Sequence, residues 1–521
     1  MCHSGILWEG DGYPLAAAQQ ILHGKALYRG IWFDKPPLVA LVYLLFGALP
    51  GWPLRLAGAC YALLVCWVAF RFGRDWWGER EGCWAAGLLG FSLCFDVPSS
   101  AIPVASDLLM LAPSLAAVWL ASRRPFWSGA LAAVAFWINP KGALVALVCA
   151  IWNPAGIVAM AGGFAASSAA AVAWLAGTGA LAAYWDEVWR WGRLYAASPF
   201  EDAPLGNGVV RTLGWAGFHA AIVVAAAWCW IKRDAAFSPT GKLKHAPPGA
   251  QKGQVVEYAE QGSGRARKPL TRVVNQLRSL VGHALACPGV FPAGSSARPQ
   301  QNTPGAVAGW WTKVRWLAWL VISLAGVAAG MRFFPRYYFL LLAPVAMLAA
   351  RGFVLMDRRA RLAVCSLLLI PLVRFGPAYV AAARNADWRD TAMDRDSRAA
   401  CALVRAMAKR GDTLFVWGYR PEDYVYTRLP AATMYLDSQP LTGVPADRHL
   451  TQSAPLETEA PRERRVELTR SAPTFILDGL GLYNPRLAIG NYPDLRAWLA
   501  NYREVGRTAG TVIYRRAGTG G

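Results

Sequence analysis

The amino-acid sequence predicts a mainly α-helical, polytopic transmembrane bundle of about ten spans, followed by a small C-terminal α/β domain. Three observations carry that expectation. Of the 521 residues, 55% are hydrophobic and only 16% charged, where soluble domains carry about 25% charged residues. Apolar stretches near the length of a membrane span recur at 52–70, 82–98, 104–121, 126–139, 141–152, 156–183, 209–231, 315–331, 338–353 and 361–382. Beyond residue 382 they give way to short alternating and amphipathic segments, so a membrane module (1–382) ends there and a second domain (383–521) begins.

Taken in order, residues 1–36 are too polar to cross a bilayer and form a first loop. The stretch 37–50 is bracketed by Pro36 and Pro37 and by Pro50-Gly51-Trp52-Pro53, and reads as an interfacial or re-entrant segment. Stretches 126–139 and 141–152 fall short of the roughly 20 residues of a full span; they are two short helices or one bent pair. The small residues of "AGGFAASSAAAVAWLAG" (161–177) suit close helix packing. Residues 232–314 are rich in Gly, Pro, Gln, Lys and Arg without periodicity, and are expected to be a mostly disordered loop.

The loops set the orientation. Arg71, Arg74, Arg80, Arg123, Arg124, the 232–314 loop, Arg358, Arg359 and Arg361 fall on one side when the spans alternate, and the positive-inside rule makes that side cytoplasmic. The opposite side receives residues 1–36, the Asp96–Asp107 connection, residues 184–208, "RFFPRYY" (332–338) and the tail. The formal charge of +21 is thereby explained by membrane topology, and no nucleic-acid partner is expected. The 10 cysteines contain no CxxC pair, and Cys60, Cys66, Cys149, Cys229 and Cys365 lie inside apolar runs, so no zinc pattern or disulfide framework follows from them. The first residues also lack the apolar run of a signal peptide. In the tail, "DTLFVWGY" (412–419), "PTFILDGL" (473–480) and "TVIYRR" (511–516) predict strands. "RAACALVRAMAKR" (398–410) and "PDLRAWLANY" (493–502) predict amphipathic helices.

Several ionisable residues sit at apolar borders on the presumed outer face. Asp11, in "EGDGYPL", is either a general base within reach of a substrate hydroxyl or an N-cap for the helix that follows. Asp107 lies just inside a span, where a carboxylate is costly and usually marks a function; the alternative is again a cap. Lys35, Lys141, Arg332 and Arg336 are isolated cations that suit an anionic ligand such as a phosphate. Individually, each could simply snorkel to lipid headgroups beside interfacial Tyr337 and Tyr338.

Together these stretches resemble the GT-C superfamily of glycosyltransferases, the dolichyl-phosphate-mannose–protein mannosyltransferase and aminoarabinose transferase type. "EGDGYPLAAAQQILHGKALYRGIWFDKPPL" is similar to the first extracytoplasmic loop of that family. Asp107 opening a span, "PKGAL" after a helix and "RYYFLLLAP" before another follow in order, so the likeness covers about residues 8–382. The resemblance implies an enzyme of the inner (plasma) membrane, its C-terminal domain extracytoplasmic. It would move a sugar from a polyprenyl-phosphate donor to a lipid, glycan or protein acceptor. It further implies a loop acid as base (Asp11, with Glu9 beside it), Asp107 assisting, and Lys35 on the donor phosphate with Arg332, Arg336 and Lys141 as further phosphate contacts. Tyr13, Tyr337 and Tyr338 would line the substrate. No cofactor is established by the sequence, and a divalent cation is compatible with it. The family's Asp-Glu pair falls in register on Gly10 and Asp11, and the family usually places a span before this loop, where this sequence has seven residues ahead of Trp8. The tail is expected to shape the acceptor's approach. Two readings stand beside this one: a multi-span transporter or flippase of a lipid or anion, and a scaffold displaying the C-terminal domain.

Overall fold

The computed structural model describes residues 4–95, 104–197, 203–232, 305–445, 453–456 and 458–518. Residues 242–308 form a unit of their own, of which only the start of one helix is described; the rest of the chain forms the other unit. The expected loop at 232–314 lies outside the described residues up to 304. From Gly305 the chain is helical, ten residues before the apolar stretch at 315 begins.

Two helices precede the bundle: α1 (Glu9–Leu22) in the first loop and α2 (Pro37–Leu44) in the segment that follows it. The bundle then runs through α3 (Trp52–Trp76), α4 (Glu79–Phe95), α5 (Ser106–Leu120), α6 (Pro125–Ile138), α7 (Gly142–Trp152) and α8 (Ile157–Gly177). It continues with α9 (Pro204–Phe218), α10 (Ala220–Ile231), α11 (Gly305–Ala328), α12 (Phe339–Leu355), α13 (Arg358–Ser366) and α14 (Leu369–Ala383). Each of the ten apolar stretches falls on a helix, and the protein is an integral membrane protein. Among the described residues four helical runs are long and apolar enough to cross a bilayer alone: 52–76, 154–177, 335–355 and 358–383. A fifth span arises if α9 and α10, bent by 89°, are counted as one. The helices α5, α6 and α7 are apolar but short. The 11 residues of α7 rise only about 16 Å, roughly half the hydrocarbon thickness. Pro37–Leu44 likewise has 8 residues and is far too short to span.

Close packing rests on glycine. A Cβ on Gly163 of α8 would stand 1.9 Å from the Phe126 carbonyl oxygen of α6, and one on Gly129 of α6 would stand 1.8 Å from that of Met160. The same holds where α12 crosses α10: a Cβ on Gly352 would meet the Ala225 carbonyl oxygen at 1.8 Å. Backbones can approach this closely only where no side chain intervenes. Next to Gly352, Arg351 pairs with Glu81 of α4, both side chains being buried.

The C-terminal domain is a four-stranded mixed sheet in the order β1-β2-β4-β3. Strands β1 (Leu414–Trp417) and β2 (Phe475–Asp478) are parallel and wholly buried. Antiparallel to both neighbours, β4 (Val512–Arg516) lies between β2 and β3 (Tyr502–Arg507). Around the sheet lie α15 (Ala392–Met407), α16 (Glu422–Thr427), α17 (Glu459–Thr469) and α18 (Pro493–Leu499). The helix expected over 493–502 stops at Leu499, and Tyr502 already belongs to β3. "YREVGR" carries three charges in six residues and reads as a loop; it is tolerated as a strand because β3 is an edge, partly exposed and interrupted by a bulge at Glu504/Gly506. The first loop is bound to this domain. The Trp32 N–H donates to the Met434 carbonyl (2.8 Å), the Ala431 N–H to Gln20 Oε1 (2.7 Å), and Lys25 Nζ to the Thr433 carbonyl (2.9 Å).

The Gly352 crossing yields a direct test. Gly352→Ala forces α10 and α12 apart and is expected to cost about 1–3 kcal/mol, read as a lower thermal midpoint of the detergent-solubilised protein. An unchanged midpoint would contradict the contact.

Candidate active site

At the start of α1, Asp11 is fully buried. Its Oδ2 lies 2.9 Å from Arg55 Nη1 of α3. Its Oδ1 accepts from the Tyr43 hydroxyl of α2 (2.8 Å) and from the Val104 N–H (2.7 Å). Arg55 is equally buried, and its Nη2 donates to the Ile6 carbonyl at 2.6 Å. One carboxylate thus ties together the first loop, α2, α3 and the segment that leads to Asp107. Breaking such a buried pair by removing one partner typically costs about 3–5 kcal/mol. Asp11 does not line a cavity; its neighbour Gly10 does. The side chain of Glu9 lies outside the described residues.

The Phe33-Asp34-Lys35-Pro36 turn is held from three sides. Tyr13 stacks on Phe33 (ring centroids 5.1 Å apart) and donates its hydroxyl to the Trp32 carbonyl at 2.9 Å. Tyr28, in the left-handed region with φ 66°, donates to the Lys35 carbonyl at 2.7 Å. From the π-helical turn Trp185–Arg190, Glu187 Oε2 accepts the Phe33 N–H at 2.7 Å. Lys35 Nζ is 2.7 Å from Asp34 Oδ2.

A second group forms where α5, α6 and the chain before α12 meet. Asp107, in the first turn of α5, accepts from Asn139 Nδ2 (3.1 Å), and Arg336 Nε lies 3.8 Å from its other oxygen. Asn139 Oδ1 in turn accepts the Lys141 N–H at 3.1 Å, which shapes the turn between α6 and α7. Lys141 Nζ is buried without a hydrogen-bond partner among the described residues and sits 3.3 Å from the Tyr337 ring centroid. Arg332 stacks over Tyr195 at 3.6 Å and donates Nη2 to the Tyr195 carbonyl; it supports the wall without lining it. Tyr338 faces away, with its hydroxyl 2.9 Å from that of Thr212 and its ring stacked on Trp215.

These two groups face one cavity of about 400 Å³. Of the residues singled out in the sequence it brings together Lys35, Asp107, Lys141, Arg336, Tyr13 and Tyr337; Asp11, Arg332 and Tyr338 stand behind or beside it. Asp34 and Arg193 also line it, so that four cations meet two carboxylates. From the C-terminal domain come Tyr419 and Gln439. Asp107 also borders a smaller, largely apolar cavity of about 20 Å³ within the bundle, walled by Met110, Leu144, Trp319 and Phe339 among others. Sequence reasoning passed over Arg193, Glu187, Tyr419 and Gln439. The dense charges and aromatics of residues 184–195 were a usable signal for the first two; nothing local marked the others. Among the described residues no three His, Cys, Asp or Glu side chains gather at a point that could hold a metal.

No family model matches the chain, and neither does any curated protein. Solved structures do. The ArnT structure from Cupriavidus metallidurans bound to undecaprenyl phosphate superposes with a TM-score of 0.55 at 12% identity, covering 99% of this chain and 94% of that one. This chain has a fold similar to that of ArnT. The apo form of ArnT gives a TM-score of 0.52 over 98% and 93% of the two chains, again at 12% identity. The oligosaccharyltransferase of Archaeoglobus fulgidus matches more weakly, with a TM-score of 0.40 at 13% identity over 99% and 72%. The ArnT likeness extends through both the helical bundle and the C-terminal domain, so the two parts recur together in one known architecture.

Burial raises the Glu187 carboxyl to about 9, offset in part by the Phe33 N–H and Arg464 and reinforced by Asp34 and Asp186. Between the ordinary glutamate range and about 9 the folded chain therefore holds a proton that the unfolded chain has lost. The unfolded state binds fewer protons there, and stability falls as pH rises. Glu187→Gln keeps the acceptor for Phe33 and needs no proton. Thermal midpoints measured from pH 6 to 9 should decline in the wild type and stay flatter in the variant, which becomes the more stable of the two at the alkaline end. Parallel curves would contradict the burial of an uncharged Glu187.

Proposed function

We propose that this protein is an integral-membrane glycosyltransferase that moves a sugar from a polyprenyl-phosphate donor to an extracytoplasmic acceptor. The observation that carries the reading is the cavity itself: Lys35, Lys141, Arg193 and Arg336 against Asp34 and Asp107, in a space large enough for a phosphate and a sugar ring. The basic stretches 123–124 and 358–361 lie past the far ends of α5 and α12, whose near ends adjoin Asp107 and Tyr337 of the cavity, which supports an outward-facing site by the positive-inside rule. The ArnT structure was solved with undecaprenyl phosphate, a ligand of this class.

The chemistry follows from the charges. An acceptor O–H or N–H gives its proton to a carboxylate, its heteroatom attacks the anomeric carbon, and the sugar–oxygen bond breaks with the electron pair going to the phosphate. A phosphodiester of charge −1 becomes a monoester of about −2. The two cations in excess over carboxylates match the product and the transition state better than the donor, which is the condition for accelerating the step. Lys35, Lys141 and Arg336 are the phosphate contacts in this reading. Asp107 is the base: its partners are an amide at 3.1 Å and a guanidinium at 3.8 Å, whereas Asp34 is closely paired with Lys35. Asp11 is a positioning residue, fixing the Val104 backbone three residues ahead of Asp107.

The test uses purified protein, a radiolabelled polyprenyl-phosphate sugar and a cell-envelope acceptor extract. Asp107→Asn is expected to lower turnover by about 10²–10⁴-fold, the usual contribution of a general base. Lys35→Ala should lower kcat/KM by about 10²-fold through lost charge stabilisation. Transfer by Asp107→Asn at the wild-type rate would remove Asp107 from the mechanism, and a wild type that transfers no label would remove the reading.

A further inference from the structure

The C-terminal domain reaches the cavity through two described residues, Tyr419 and Gln439, and both are fixed from behind. Tyr419 follows β1 across Gly418, whose φ of 113° is a conformation that only glycine adopts without strain. The Gly418 N–H donates to Ser438 Oγ at 2.8 Å, so the turn bearing Tyr419 is bonded to the residue preceding Gln439. Gln439 N–H donates to Asp437 Oδ1 at 2.9 Å. On the other flank, the buried Arg420 donates from Nη1 to Asp396 Oδ2 (2.5 Å) and to Thr511 Oγ1 (2.8 Å). Two turns of the domain, one after β1 and one before residue 440, are thus locked into a single surface facing the membrane module.

That surface adjoins the phosphate contacts. The Tyr419 ring centroid is 5.9 Å from that of Tyr13, which stacks on Phe33, the residue before Asp34 and Lys35. A single oxygen joins the sugar to the donor's phosphate, so a phosphate held by Lys35 places the sugar ring against its immediate neighbours. An aromatic face and a primary amide are suited to a pyranose: the ring packs on C–H groups, and the amide offers a donor and an acceptor to hydroxyls. Neither supplies the negative charge a sugar ammonium would require; of the carboxylates lining the cavity, Asp34 is closely paired with Lys35 at 2.7 Å, and Asp107 is the base of the proposed reaction.

Resting on the functional reading above, we propose that Tyr419 and Gln439 are specificity-determining residues for the donor sugar, selecting a neutral, hydroxyl-bearing pyranose over an amino sugar. The C-terminal domain then belongs to the sugar subsite as well as to the fold.

The experiment compares transfer from polyprenyl-phosphate glucose, polyprenyl-phosphate mannose and a polyprenyl-phosphate 4-amino-4-deoxypentose by the wild type, Tyr419→Ala, Tyr419→Phe and Gln439→Ala. Inhibition by sugar-free polyprenyl phosphate is measured in parallel. The wild type should prefer a neutral hexose donor. Tyr419→Ala and Gln439→Ala should lose about tenfold or more of that preference, while the inhibition constant of the sugar-free lipid moves less than about threefold. Tyr419→Phe, which keeps the ring, should keep the preference. If preference is unchanged in both alanine variants, or falls only in step with phosphate binding, the inference is overturned while the glycosyltransferase reading stands. If the wild type prefers the amino sugar, the inference is overturned as well. If the wild type transfers from no donor, the functional reading falls and takes this inference with it.

Discussion

The constraint on which the rest depends is an excess of positive charge in a confined space. Four cations face two carboxylates around a cavity of about 400 Å³, at the border of a bundle whose interior excludes water. Like charges brought together in a low-dielectric setting repel strongly, and a chain tolerates that only when the groups are anchored and an anion relieves them. The anchors are visible. Lys35 leans on Asp34, Arg336 on Asp107, and Lys141 on the face of Tyr337, which stabilises a cation without neutralising it. In the proposed reading, what remains is a site suited to a phosphate whose charge grows during the reaction.

Holding such a site together requires stiffness, and a second buried charge supplies it. Asp11, Arg55, Tyr43 and the Val104 amide form a closed knot at 2.7–2.9 Å, joining four stretches of chain that run to both halves of the cavity. The first loop is also bonded to the C-terminal domain through Gln20, Lys25 and Trp32. It is the mechanical link between membrane module and sheet domain, which explains why a loop so polar is also so thoroughly buried. Residues Leu15 to Ala18 have no exposed surface at all.

Much of this was legible in the sequence, for a physical reason. Hydropathy is local, so each apolar stretch announced its helix, and a lone Lys35, Asp107, Lys141 or Arg336 at an apolar border stood out as costly. The Phe-Asp-Lys-Pro-Pro turn was readable because proline fixes its backbone. Asp11 shows where such reading stops. Its charge was conspicuous, but its partner Arg55 lies 44 positions away inside a span, and only folding makes the pair a structural knot. Tyr419 and Gln439 were invisible for the same reason: they reach the cavity through the docking of a whole domain. The strand at 502–507 was missed because an exposed edge strand rich in charge has no hydrophobic alternation to announce it.

The central claim, that this cavity is built for a lipid-borne phosphate, is tested most directly by binding. Affinity of the detergent-solubilised wild type should be measured for a polyprenyl phosphate and for the polyprenol of equal chain length. Two or more charge-assisted contacts at about 1.5–3 kcal/mol each predict that the phosphate binds at least about 100-fold tighter. They also predict that binding tightens from pH 5 to 7.5 as the second phosphate ionisation, near a pKa of about 6, is completed. Equal affinity for the alcohol and the phosphate would contradict the account.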